Sequence, residues 1–154
     1  MNRSPHRPAL RPIARVSMGL EVLLSLGALA GGTALMVGPR GEIIPLQVAA
    51  LQGSPFDTYF VPGLILFAVL GLGPIAAAML AFARQPLAPL AALVVGVGLL
   101  IWLIVEIAIV GYSSNPPLQP IYLMLGVAIV AAALRWLGSQ PAGERQHQMK
   151  VVRP

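Results

Sequence analysis

Residues 87–111 read LAPLAALVVGVGLLIWLIVEIAIVG, apolar throughout except for Glu106. An apolar run longer than about 18 residues is long enough to cross a bilayer as a helix. A carboxylate inside such a run is costly to hold in hydrocarbon, so Glu106 is the first candidate for function. Trp102 lies four residues before it and shares its helical face. The rest of the chain has to house this helix and supply Glu106 with a partner.

Three further runs, near 16–38, 59–83 and 117–137, are of similar length and character. The expected fold is all-α, a four-helix transmembrane bundle forming one membrane domain over 16–137. It is flanked by a basic disordered tail (1–15) and a polar basic tail (138–154). Composition agrees: 57% of the residues are hydrophobic and 10% charged, against about 25% charged in soluble domains. Mean hydropathy is +0.82. No room remains for a soluble catalytic domain. Cysteine is absent, which excludes disulfides, thiolate nucleophiles and cysteine-held metal centres.

The net charge of +5 suggests nucleic acid, but its distribution points elsewhere. With four spans both tails lie on one side. That side holds Arg3, Arg7, Arg11, Arg15, Arg84, Arg135, Arg145, Lys150 and Arg153; the other holds only Arg40. Such asymmetry marks the cytoplasmic side. The termini and the 84–86 connection are therefore expected to be cytoplasmic, with loop 39–58 facing outward. The expected location is the plasma (inner) membrane of a bacterium, and no nucleic-acid partner is expected. The prolines at 5, 8 and 12 keep the N-terminal arginines out of a regular helix, leaving a tail that lies on anionic headgroups or docks an acidic partner. Ala28-Leu29-Ala30 mimics a signal-peptidase site. Cleavage is not expected, because the apolar run continues to Val37 and Glu21 would interrupt a signal core.

Within the spans, Ser17, Glu21 and Ser25 share one helical face, which should point into the protein. Gly27 and Gly31 form a GxxxG pair that lets another helix approach closely. Pro39 and Gly41 end the first helix, and residues 45–52 suit a short interfacial helix with Pro45 in its first turn. Asp57 is placed to cap the second helix, with Pro62 in its first turn. Pro74, deep in that helix, predicts a kink. Asn115 and Pro116 suit the start of the fourth helix. Tyr59, Tyr112 and Tyr122 all fall near helix ends on one side, as an interfacial aromatic belt requires.

No catalytic constellation is legible, so the chain is not expected to be an enzyme and no cofactor is implied. His6 and His147 sit in opposite tails. The glycines lack the following lysine of a phosphate loop. Glu21 and Glu106 lie near opposite faces of the membrane, too far apart for a dyad. Glu21 is expected to pair with Arg84 or Arg135. Glu106 is expected to pair with Arg40, in competition with Asp57, or to accept bonds from Tyr59 or Tyr122. The four-span layout resembles that of several families of small bacterial membrane proteins, DoxX-like proteins among them; no site residue follows from it. The first functional expectation is a non-catalytic accessory or assembly subunit, associating through the bilayer with a larger membrane complex or with copies of itself. The alternative is a small transporter or a binder of a lipophilic ligand (quinone or lipid) in an outer pocket around Glu106.

Overall fold

The computed structural model describes residues 12–112 and 117–139. Among these residues, four helices are long and apolar enough to span a membrane: α1 (Pro12–Val37), α2 (Phe60–Phe82), α3 (Ala88–Val110) and α4 (Leu118–Gly138). These match the expected spans to within a few residues. α1 starts earlier because Pro12 stands at its first position, where the missing N–H takes nothing from the helix. Asn115, Pro116 and the histidines lie outside the described residues. The outer surface of the bundle is apolar, with Leu26, Met79, Phe82, Ile104 and Met124 all well exposed. So extensive an apolar surface is unsuited to water and suited to lipid.

α3 and α4 pack along their length, and α1 packs along all of α2 and against α4. Glycine sets the closest approaches. A methyl group at Gly32 of α1 would stand 2.8 Å from the Gly63 carbonyl oxygen of α2, so those two backbones touch. Between α2 and α3, by contrast, close packing is concentrated in the half of α2 after Leu72. The chain passes there from α2 to α3 in a few residues. Arg84 takes a left-handed conformation (φ 55°), with Gln85 N donating to Leu80 O at 2.9 Å and Arg84 N to Ala81 O at 3.0 Å. This is the bond pattern of a Schellman helix end, with arginine where glycine is usual. The same end of the bundle is filled by small buried residues, among them Ala14, Ala81, Ala88, Ala92 and Ala133, and by Trp136. Small side chains let helices meet closely, so this tail end is shut.

Pro74 is buried and lies just past a π-helical stretch, Leu66–Leu72, flanked by α-helix on both sides. Ser25 Oγ of α1 donates to a carbonyl of this stretch, Gly71 O, at 2.7 Å. The expected proline distortion takes the form of a local π-helix, with a neighbouring hydroxyl bonded to one of its carbonyls.

The opposite, loop end is covered by residues 38–59. The expected interfacial helix over 45–52 shrinks to one 3-10 turn, Val48–Leu51. Leu51 is buried with Leu35 and Tyr59, and Ile44, Leu46 and Phe56 pack on them. The loop is therefore a lid folded over the bundle. Asp57 does not cap α2: the N-cap is Tyr59, without a side-chain cap bond, and Asp57 is exposed. Instead, Tyr59 N donates to Pro39 O at 2.8 Å, which staples the two ends of the loop together.

Candidate functional site: a cavity walled by Glu106

The diverging halves of α2 and α3, with α1 behind them and the loop above, enclose a cavity of about 390 Å³. Its floor is Leu24 and Leu99, both also part of the central core. Its roof is Leu46, Leu51 and Phe56 of the loop. The lining is apolar except for Tyr59, whose hydroxyl is bonded into the loop, and one group of side chains on α3 and α4: Trp102, Glu106, Gln119 and Tyr122. A mostly apolar concavity with a few convergent polar groups is the usual form of a small-molecule site.

Glu106 is half-buried in that wall. Trp102 Nε1 donates to its Oε2 at 3.1 Å, one helical turn away on the shared face. Gln119 Nε2 donates to its Oε1 at 3.3 Å. Gln119 is itself buried, and its amide also donates to Gly111 O at 3.1 Å. Gly111 has φ +88°, a left-handed turn that glycine adopts without strain and that ends α3. One glutamine thus ties the end of α3, the start of α4 and the carboxylate together. Sequence reasoning did not single it out. The available signal was its spacing, three residues before Tyr122 on a helix whose remaining polar residue is Arg135.

The expected partners of Glu106 do not reach it. Arg40 is exposed, and its backbone N–H donates to the Glu42 carboxylate at 2.8 Å. Tyr59 is buried, with its hydroxyl donating to Gln47 O at 3.0 Å. The Tyr122 hydroxyl rests against Gly27, so a methyl group there would collide with it. Neutral N–H donors replace the expected arginine because the arginine side chain can stay hydrated, whereas the indole and the amide are already in the wall. The aromatic belt is likewise reduced to Tyr112, which is 65% exposed; Tyr59 and Tyr122 turn inward. Gly27 and Gly31 both line the cavity, facing Tyr122 and Leu66 respectively.

Glu21 sits at the closed end. It is 0% exposed, as is Ser17, and Ser25 is 2% exposed, so the shared face does point inward. Ser17 Oγ donates to Glu21 Oε1 at 3.1 Å. The other oxygen, Oε2, has no hydrogen-bond partner among the described residues. Neither Arg84 nor Arg135 pairs with it; both are exposed. Arg84 is carried outward by its left-handed turn, while Glu21 points to the bundle axis. Searches with the chain against protein-family models, curated proteins and solved structures gave no match.

Proposed function

We propose that this chain is a multi-pass plasma-membrane protein that takes up a small lipophilic ligand from the outer half of the bilayer. The cavity walled by Glu106 carries this reading: it is apolar, of ligand size, and has one polar cluster to orient a head group. The orientation rests on the arginine asymmetry, nine basic residues on the tail side against Arg40 on the other, which puts the cavity on the outer side. Transport is the extended form of the same activity, and it requires a route past the alanine-filled end. The accessory-subunit expectation gains no support of its own, since the exposed apolar surface suits lipid and a neighbouring subunit equally.

The test is native mass spectrometry of protein released from a gentle detergent, with Gly31→Leu as the plugged control. Gly31 lines the cavity, and a Cβ there meets only Leu66 Cδ2, at 3.5 Å. Its new side chain therefore has room to occupy the site. A lipophilic mass retained by the original protein and lost in the variant supports the reading. Stoichiometric larger subunits and no small adduct would favour the accessory role instead.

A further inference from the structure

We infer that the ligand of the Glu106 cavity is a lipophilic monocation, an amphiphile with an ammonium-type head and an apolar body. The inference rests on the pocket reading above and names the chemical class that reading leaves open. It starts from the charge of Glu106. Both carboxylate oxygens accept bonds, yet both donors, Trp102 Nε1 and Gln119 Nε2, are neutral. They orient the carboxylate without cancelling its charge. Among the described residues the one cationic side chain at this end, Arg40, is exposed and does not pair with it. Among the described residues of the loop end, Arg40 stands against three acids, Glu42, Asp57 and Glu106, a net charge of −2. Residues 113–116, SSNP, add none. An end of net negative charge raises the local concentration of cations and lowers that of anions.

The cavity itself selects for a lipophilic cation over a hydrated one. Trp102 and Tyr122 stand beside Glu106, Tyr59 and Phe56 line the same cavity under the loop, and below them the lining is aliphatic down to Leu24 and Leu99. Aromatic rings attract ammonium groups through their negative faces, most strongly where water is excluded. A small metal cation would need several oxygen ligands, and among the described residues no group of three acidic, histidine or cysteine side chains is assembled. A fatty acid would set carboxylate against carboxylate. A neutral lipophile would fill the volume but leave the charge of Glu106 unanswered in a low-dielectric wall, where opposite charges attract most strongly.

The experiment separates charge from shape. 4-Bromobenzyltrimethylammonium is a permanent monocation; 1-bromo-4-neopentylbenzene is its neutral carbon isostere. Each is titrated into nanodiscs of neutral lipid holding the full chain with Trp136→Phe, so that Trp102 is the sole tryptophan and the bromine quenches it at contact. The expected result is saturable quenching by both probes, with the cation binding about tenfold or more tightly than the isostere. Glu106→Gln should bring the cation down to the affinity of the isostere. Equal affinity of the two probes for the protein that keeps Glu106 would overturn the cation assignment while leaving the pocket reading intact; this comparison does not depend on how any Glu106 variant folds. Linear, non-saturating quenching by both would overturn the pocket reading and the assignment with it.

Discussion

Glu21 and Glu106 are the two acids inside the spans, and the bundle treats them oppositely. Glu21 is wholly enclosed at the end where small residues close the helices together, with one donor, Ser17, and one oxygen left bare. Glu106 stands at the end where α2 and α3 part, with a donor on each oxygen and a cavity before it. The same side chain is thus a sealed polar defect in one place and an oriented group facing a cavity in the other. Side-chain volume makes the difference. Alanines at 81, 88 and 92 shut one end, whereas the other end relies on a loop for its cover. A buried carboxyl without full partners is a liability to the fold; a carboxylate held by two donors on facing helices is positioned.

The contrast breaks most visibly under added bulk. Ala92 is fully buried at the closed end, and Ala92→Leu should cost about 2–3 kcal/mol through overpacking. Gly31→Leu, facing the cavity, should cost under about 1 kcal/mol although it adds a larger side chain. Thermal unfolding in one detergent compares them, and equal losses would show that the two ends are equally packed. Glu21→Leu comes next. It removes a buried carboxyl that has a single hydroxyl donor, and it should leave stability unchanged or raise it by about 1–2 kcal/mol. A loss of several kcal/mol would mean that Glu21 does structural work that its one hydrogen bond does not account for.

Smaller effects test how the cavity wall is built. Gly27→Ala should cost about 1.5 kcal/mol by displacing the Tyr122 hydroxyl that rests against Gly27. Tyr122→Phe should recover much of that loss, giving a non-additive cycle; strict additivity would show that the hydroxyl and Gly27 do not meet. Smallest of all, Glu106→Gln should cost no more than about 1 kcal/mol, because the amide still accepts one of the two N–H bonds. Its effect should fall on binding, the reverse of Glu21→Leu.

The four long apolar helices were legible because apolar length and proline–glycine punctuation are local properties of the chain, and their ends came out within a few residues. The inward face of Ser17, Glu21 and Ser25 and the shared face of Trp102 and Glu106 followed from helical periodicity. What misled was charge matching. Arginines at the right end of the membrane were assigned to both acids, yet a long cationic side chain can reach water while an enclosed acid cannot. Gln119 escaped because its bond to Glu106 spans 13 residues and depends on the turn at Gly111, a geometry fixed only when α3 and α4 pack. The local form of the lid escaped for a related reason. Pro45 and the apolar residues after it fit a surface helix, but burying Leu51 and Tyr59 over the diverging helices prevails over local helix preference.

The most direct test of a ligand cavity at one end of the bundle uses its two tryptophans, Trp102 in the cavity wall and Trp136 in the alanine-packed end. Single-tryptophan proteins are made by Trp136→Phe and by Trp102→Phe, placed in identical nanodiscs and titrated with 4-bromobenzyltrimethylammonium. Saturable quenching of Trp102, with only linear quenching of Trp136, is the predicted result. Indistinguishable linear quenching of both would contradict it and reduce the cavity to a packing gap under the loop.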